Sequence, residues 1–120
     1  MEFQMEIVKK KNTALVRVAG EVDMFTSPGL RDTLVSFFKK KAAAVVVDLS
    51  GVSYMDSSGI ATLVEGLQWS LKNNRQFILA GIGDTVFNAL SLTKLDQVFT
   101  IHENADQAFA AITQNTLKES

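Results

Sequence analysis

The residues of this chain best placed to do chemistry are two adjacent hydroxyls between an acid and a glycine, Asp56-Ser57-Ser58-Gly59. They follow the apolar run Val45-Val46-Val47-Asp48-Leu49 and the polar stretch Ser50-Gly51-Val52-Ser53-Tyr54-Met55. After them Ile60, Leu63, Val64, Leu67 and Leu71 recur at helical spacing, the stripe expected to face inward. A buried strand thus delivers the hydroxyls, through a loop, to the start of a helix. Backbone N–H groups lack partners there and the helix dipole favours negative charge, so a phosphate would be tolerated. Asp, Ser and Gly are equally the common residues of caps and turns, and from residue type alone a plain helix cap remains open.

Other chemistries find little support. A nucleophile elbow needs Gly-x-Ser-x-Gly, and neither Ser53, Ser57 nor Ser58 has that frame. The single histidine, His102, lies late in the chain, which limits acid–base and metal chemistry. A Gly-x4-Gly-Lys-[Ser/Thr] phosphate loop is absent, and Gly81-x-Gly83 lacks the third glycine of a dinucleotide fingerprint, so it is read as a turn. Nothing in the spacing of Asp23, Asp48 and Asp56 demands a metal ion. No catalytic residue, metal or cofactor is expected.

Composition narrows the class further. The 120 residues suit one domain spanning 1–120, with a 47% apolar and 21% charged content typical of a soluble globule. A net charge of −1 provides no global field toward nucleic acid or an anionic membrane. The absence of cysteine excludes disulfides and thiolate metal sites and fits a reducing compartment. Met1 to Glu6 is acidic and alternating, unlike a secretory signal, and no apolar run approaches a membrane span of ~20 residues. A cytoplasmic protein is expected.

The elements that must hold the hydroxyls follow from periodicity. Phe3, Met5 and Ile7 alternate as a half-buried strand, Lys9-Lys10-Lys11-Asn12 turns, and Ala14 to Val22 forms the second strand of a hairpin. Ser27 before Pro28 predicts a cap, opening a helix with Leu30, Leu34, Phe37 and Phe38 inward and Lys39-Lys40-Lys41 at its C-terminal end. A strand over 43–49 leads to the central loop and the second helix, which Asn73-Asn74 ends. Trp69 falls on the far side of that helix, read as packing over a neighbouring loop, with a partner contact as the alternative. Phe77 to Ala80 is a strand. Asp84 caps a third helix with Val86, Phe87 and Leu90 inward, and Val98 to Ile101 is the last strand. Asn104 caps a final helix carrying Ala108, Phe109 and Ile112, with Gln107 at capping-box spacing and a frayed tail from Asn115. The order β-β-α-β-α-β-α-β-α predicts an α/β fold in which a mixed sheet begins with an N-terminal hairpin. Right-handed crossover helices should cover one face and leave the other less covered.

The run from Asp48 to Gly59 resembles the signature of the STAS family, the anti-sigma factor antagonists of bacteria. Gly20-Glu21-Val22-Asp23 is similar to the family's Gly-Glu-Leu-Asp segment, and Leu90 to Asp96 to its late Leu-Thr-Gly-Leu stretch. Lys94 stands where glycine is usual, and Asp84-Thr85 replaces a common Ser-Pro. The resemblance implies a β-α superhelix. It also implies that Ser58 is phosphorylated by a serine kinase that doubles as anti-sigma factor. Unphosphorylated, such a protein binds the kinase and frees the sigma factor; phosphorylated, it lets go, and a serine phosphatase resets it. Ser57 is then left as the local cap. Asp23, Thr26, Asp56, Ser57 and Gly59 would contact the partner, with Gly59 allowing close approach of another backbone. Met24, Phe25, Tyr54 and Met55 flank the acids as apolar contact or as ordinary packing. A scaffold or transporter-associated STAS module without phosphorylation, and a small nucleotide-binding domain, are the alternatives.

Overall fold

The computed structural model describes the backbone of residues 3–119 and the side chains of residues 3–112. Five strands form one sheet in the order β1 (Gln4–Lys10), β2 (Thr13–Val22), β3 (Ala44–Met55), β4 (Gln76–Ala80) and β5 (Thr100–His102). β1 and β2 are antiparallel, a hairpin turned at Lys11; β2 through β5 are parallel. The connections carry α1 (Ser27–Lys39), α2 (Ser57–Asn73) and α3 (Asp84–Leu92), and α4 (Ala105–Glu119) follows β5. The sheet and the element order match the sequence expectation. The tail expected to fray from Asn115 instead continues α4 to Glu119.

Alternation along the central strands divides the core in two. Val16, Val18, Val45, Val47, Phe77 and Leu79 point to the face covered by Leu30, Leu34 and Phe37 of α1, Leu63 of α2, and Val86 and Leu90 of α3. Leu15, Ala44, Val46, Ile78 and Ala80 point to the other face, where Ala105, Ala108 and Ile112 of α4 pack. The three crossover helices therefore share one face, as right-handed connections added in one direction require. The second face is covered by α4 alone. β1 closes the edge, with Met5 half-buried against one core and Val8 against the other, and its Ile7 is exposed rather than half-buried.

β3 runs on through Ser50 to Met55, a stretch expected as a loop. Two register shifts against β2, between Arg17 and Ala19 and between Gly20 and Glu21, each add a residue to β3. The buried positions consequently fall three apart, at Leu49, Val52 and Met55, and the period-two signature of a strand is lost. Gly51 makes the bulge possible: a Cβ there would lie 2.9 Å from Ala19 Cβ and 3.2 Å from Val18 O.

The helices shift in detail. Ser27 is the buried first residue of α1 and not its cap; Thr26 holds the cap position without a side-chain bond to the helix. α3 is preceded by Gly83, with Asp84 in its first turn, and Phe87 is exposed. Val98 is exposed ahead of β5 rather than within it. The inward face of α2 is Gly59, Thr62, Leu63, Gly66 and Ser70, because Gly66 lets the helix rest on the Phe77 ring. Leu71, one residue beyond Ser70, is thereby rotated outward and is 72% exposed. Trp69 stacks on Phe38 with ring centroids 4.2 Å apart, so it packs on α1 and not on a loop. Asn74 ends α2 in the left-handed region at φ 57, its N–H on Ser70 O. Asn104 Oδ1 accepts from Gln107 N, as expected of a cap. Lys94 adopts φ 61, the left-handed conformation that glycine takes most readily.

Candidate functional site

The extended β3 ends at Met55, so α2 begins at the carboxyl edge of the sheet beside the end of β2. Asp56 N donates to Val22 O at 3.0 Å, tying the two strand ends together. Asp56 is the cap of α2. Its backbone is extended, and Oδ1 accepts from Ser58 N at 2.9 Å and Gly59 N at 3.3 Å. The cap assigned to Ser57 thus belongs to the residue before it. Ser57 is exposed on the first turn, and its hydroxyl has no hydrogen bond among the described residues.

Ser58 is half-buried, and its hydroxyl donates to Asp56 Oδ1 at 2.6 Å. That bond is the largest cause holding the Asp56 carboxyl below its usual range. Partial desolvation opposes it, and the N–H groups of Ser58, Gly59 and Met24 add smaller contributions in the same direction as the hydroxyl. The Ser58 oxygen keeps its lone pairs at a helix N-terminus, with its proton directed to a carboxylate. This is an acceptor hydroxyl held in one orientation. Among the described residues, its one hydrogen-bond partner is this carboxylate, in its ionised form a weak base.

The Met24 contact brings in the second loop. Asp23 Oδ1 accepts from Phe25 N at 2.9 Å and Thr26 N at 3.1 Å. The Thr26 hydroxyl accepts from Asp23 N at 2.9 Å and donates its one proton to Glu21 O at 2.8 Å, with Asp23 Oδ1 a poorer acceptor at 3.2 Å. This reciprocal turn fixes the backbone between β2 and α1 and leaves Met24 68% and Phe25 84% exposed. Tyr54 is exposed on the adjoining strand, while Met55 is buried core. Asp23 and Thr26 therefore act first on their own loop, and the apolar contact available to another molecule comes from Met24, Phe25 and Tyr54.

Gly59 does not face outward. It is buried, and a Cβ there would lie 2.5 Å from Met55 Cγ and 2.9 Å from Val22 Cγ1. The close approach that glycine permits is made by the protein's own core, and it sets how deeply α2 is seated.

A broad concavity lies elsewhere, on the second sheet face beyond α4. It measures 630 Å³ and is lined by Gln4, Glu6, Arg17, Asp48 and Ser50 among others. Arg17 already pairs there with Glu6 at 3.1 Å and Asp48 at 3.5 Å, so a nucleotide phosphate would meet two carboxylates and no free cation. Among the described residues no group of three or more His, Asp or Glu could hold a metal ion, and no helix is long and apolar enough to cross a membrane.

The fold is a hairpin-led mixed sheet that presents a carboxylate-tethered serine at a helix start, next to an exposed apolar loop. The STAS domain family matches residues 4–108, and the chain belongs to that family. Among its relatives, the anti-sigma-B factor antagonist of Listeria monocytogenes is 28% identical over 102 residues, covering 84% of this chain and 90% of the relative. The crystal structure of an anti-sigma factor antagonist from Mycobacterium paratuberculosis superposes with a TM-score of 0.85 at 26% identity, covering 93% and 95% of the two chains. Unphosphorylated SpoIIAA, at 19% identity, shares the fold with a TM-score of 0.79 over 94% of this chain and 97% of its own.

Proposed function

We propose that the protein is an anti-sigma factor antagonist switched by phosphorylation of Ser58. In the unphosphorylated state the loop carrying Met24 and Phe25, together with the start of α2, docks on an anti-sigma factor that is also a serine kinase, which releases a sigma factor in the cytoplasm. The partner supplies the catalytic chemistry and this chain supplies the acceptor. A serine phosphatase reverses the step. The observation that carries this reading is the Ser58 hydroxyl, oriented by Asp56 at 2.6 Å beside an apolar, exposed loop.

The physical logic is local. Phosphate adds about −1.5 to −2 charges and three acceptor oxygens at Ser58. The α2 N-terminus stabilises it by ~0.3–1 kcal/mol at an exposed site, while Asp56, deprived of its hydroxyl donor, repels it. Within the free protein water screens that repulsion. In a complex that excludes water the same charge costs far more, and every 1.4 kcal/mol lost there weakens binding about tenfold.

The test is incubation with the cognate anti-sigma kinase and ATP, followed by mass spectrometry of the peptide containing both serines. One phosphate is expected, on Ser58, and absent from Ser58→Ala. Ser57 is the more exposed hydroxyl, so phosphate found on Ser57 alone would overturn the assignment.

A further inference from the structure

Six of the twelve cationic side chains, at residues 9–11 and 39–41, lie in or next to two connections at the end of the sheet opposite Ser58. The connections are joined, since Ala43 N donates to Asn12 O at 2.8 Å. The C-terminal dipole of α1 accounts for cations at 39–41. It does not account for Lys9, Lys10 and Lys11, which belong to a hairpin. Nor does it account for the crowding of the two groups, because Lys9 Nζ and Lys40 Nζ lie 5.6 and 5.8 Å from the centroid of the same Phe37 ring.

Phe37 is buried, so its ring is a fixed platform that holds both ammonium groups by cation–π attraction. Neither lysine pairs with a carboxylate among the described residues. The contact with Lys40, through hydrogen bonding and then charge, pushes Lys9 below the usual lysine range, which marks a pair that repels. Lys11 at φ 55 and Lys41 at φ 58 adopt left-handed backbone, where glycine or asparagine would be easier. Between these groups lies a cleft of 170 Å³ lined by Lys9, Lys11, Asn12, Thr13, Phe37 and Lys40, with no acid among its lining residues.

We propose that this cleft, between the β1–β2 turn and the end of α1, is a binding site for a phosphate-sized oxyanion gripped by Lys9 and Lys40. Ligand pockets for drug-sized molecules run from roughly 300 Å³ upward, so a base and sugar do not enter, whereas a single tetrahedral group does. A doubly charged phosphate matches the two ammonium groups and relieves their repulsion. The Asn12 amide and Thr13 hydroxyl on the wall offer further donors. Free phosphate and the phosphate of an anionic lipid headgroup share this chemistry. The site is remote from Ser58 and stands or falls independently of the proposed switch.

The experiment is a titration of the isotope-labelled full chain with sodium phosphate, followed by amide chemical shifts, against sodium chloride at matched ionic strength. Saturable shifts confined to residues 9–13 and 40–43 are expected with phosphate. In the Lys9→Gln/Lys40→Gln variant the affinity should fall by roughly tenfold or more, equivalent to at least about 1.4 kcal/mol. The Lys9→Arg/Lys40→Arg variant should retain binding, and the unshifted remainder of each spectrum reports that the variant is folded. A second arm sediments the protein with phosphatidylcholine vesicles with and without phosphatidylserine. Sedimentation that needs phosphatidylserine and both lysines, without shifts from free phosphate, assigns the site to a headgroup. Shifts reproduced by chloride, or unchanged by the double glutamine substitution, together with no lysine-dependent sedimentation, overturn the proposal.

Discussion

The Ser58 hydroxyl donates to Asp56 Oδ1 across 2.6 Å, whereas the Ser57 hydroxyl one residue earlier finds no partner among the described residues. The difference comes from the cap: once Asp56 takes the extended conformation, its carboxylate points along the first turn and meets the third residue of the motif. That geometry has a titratable consequence. Asp56 is held below its usual value chiefly by the Ser58 hydroxyl, so its contribution to stability is present above the ordinary aspartate pKa and disappears as pH falls through the lowered one. Ser58→Ala removes the largest cause. Carboxyl-carbon NMR titration should show the Asp56 pKa rising in the variant toward the ordinary value, and acid unfolding curves of the two proteins should converge at low pH. An unchanged Asp56 titration would mean that the backbone N–H groups, and not the hydroxyl, dominate its environment. The acid, the two serines and the glycine were legible as a helix start from their order alone. Which side chain caps and which is tethered was not, because that depends on backbone dihedrals at Asp56.

At the scale of elements, α2 is the piece that presents the serine, and glycine decides where it sits. Gly59 rests against Val22 and Met55, and Gly66 lies directly over the Phe77 ring. A methyl at 66 would strike a buried aromatic ring packed against the core. Alanine's better helix propensity recovers up to ~1 kcal/mol, and overpacking costs about 1–3 kcal/mol, so Gly66→Ala should destabilise on balance. Urea unfolding measures this, and a variant as stable as the parent would show that α2 can lift without loss. The same close seating explains the misplaced Leu71. Apolar periodicity counts large residues, and this helix buries its small ones. The strand end of β3 was missed for a comparable reason, since two bulges convert a period of two into a spacing of three at Leu49, Val52 and Met55.

For the whole molecule, charge follows the direction of the strands. The ends where β2, β3 and β5 stop carry Glu21, Asp23, Asp56 and Glu103, near the starts of the helices; residues 9–11 and 39–41 gather at the opposite end. Negative charge at helix starts and positive charge at helix ends both complement the dipoles, so part of this polarity stabilises the fold. It also means that Ser58 lies in a region already acidic, where added negative charge changes binding more than folding. Ser58→Asp is therefore expected to weaken association with the proposed anti-sigma kinase, read by isothermal titration, while lowering Tm by no more than a few degrees. A large drop in Tm would identify Ser58 as a structural part of the cap.

The sequence by itself determined the order of strands and helices, the mixed sheet, and the placement of a hydroxyl-bearing motif at a helix start. Those features rest on local periodicity and on residue types with strong backbone preferences. Only the tertiary structure decided that Asp56 and not Ser57 is the cap, that Gly59 serves the core, that α4 covers the second face, and that the hairpin and α1 lysines meet over one ring. Each of those depends on which distant segments the sheet register brings together. So the Asp56-Ser57-Ser58-Gly59 motif was visible as a candidate site. Its internal division of roles follows from the seating of α2 against Val22, Met55 and Phe77.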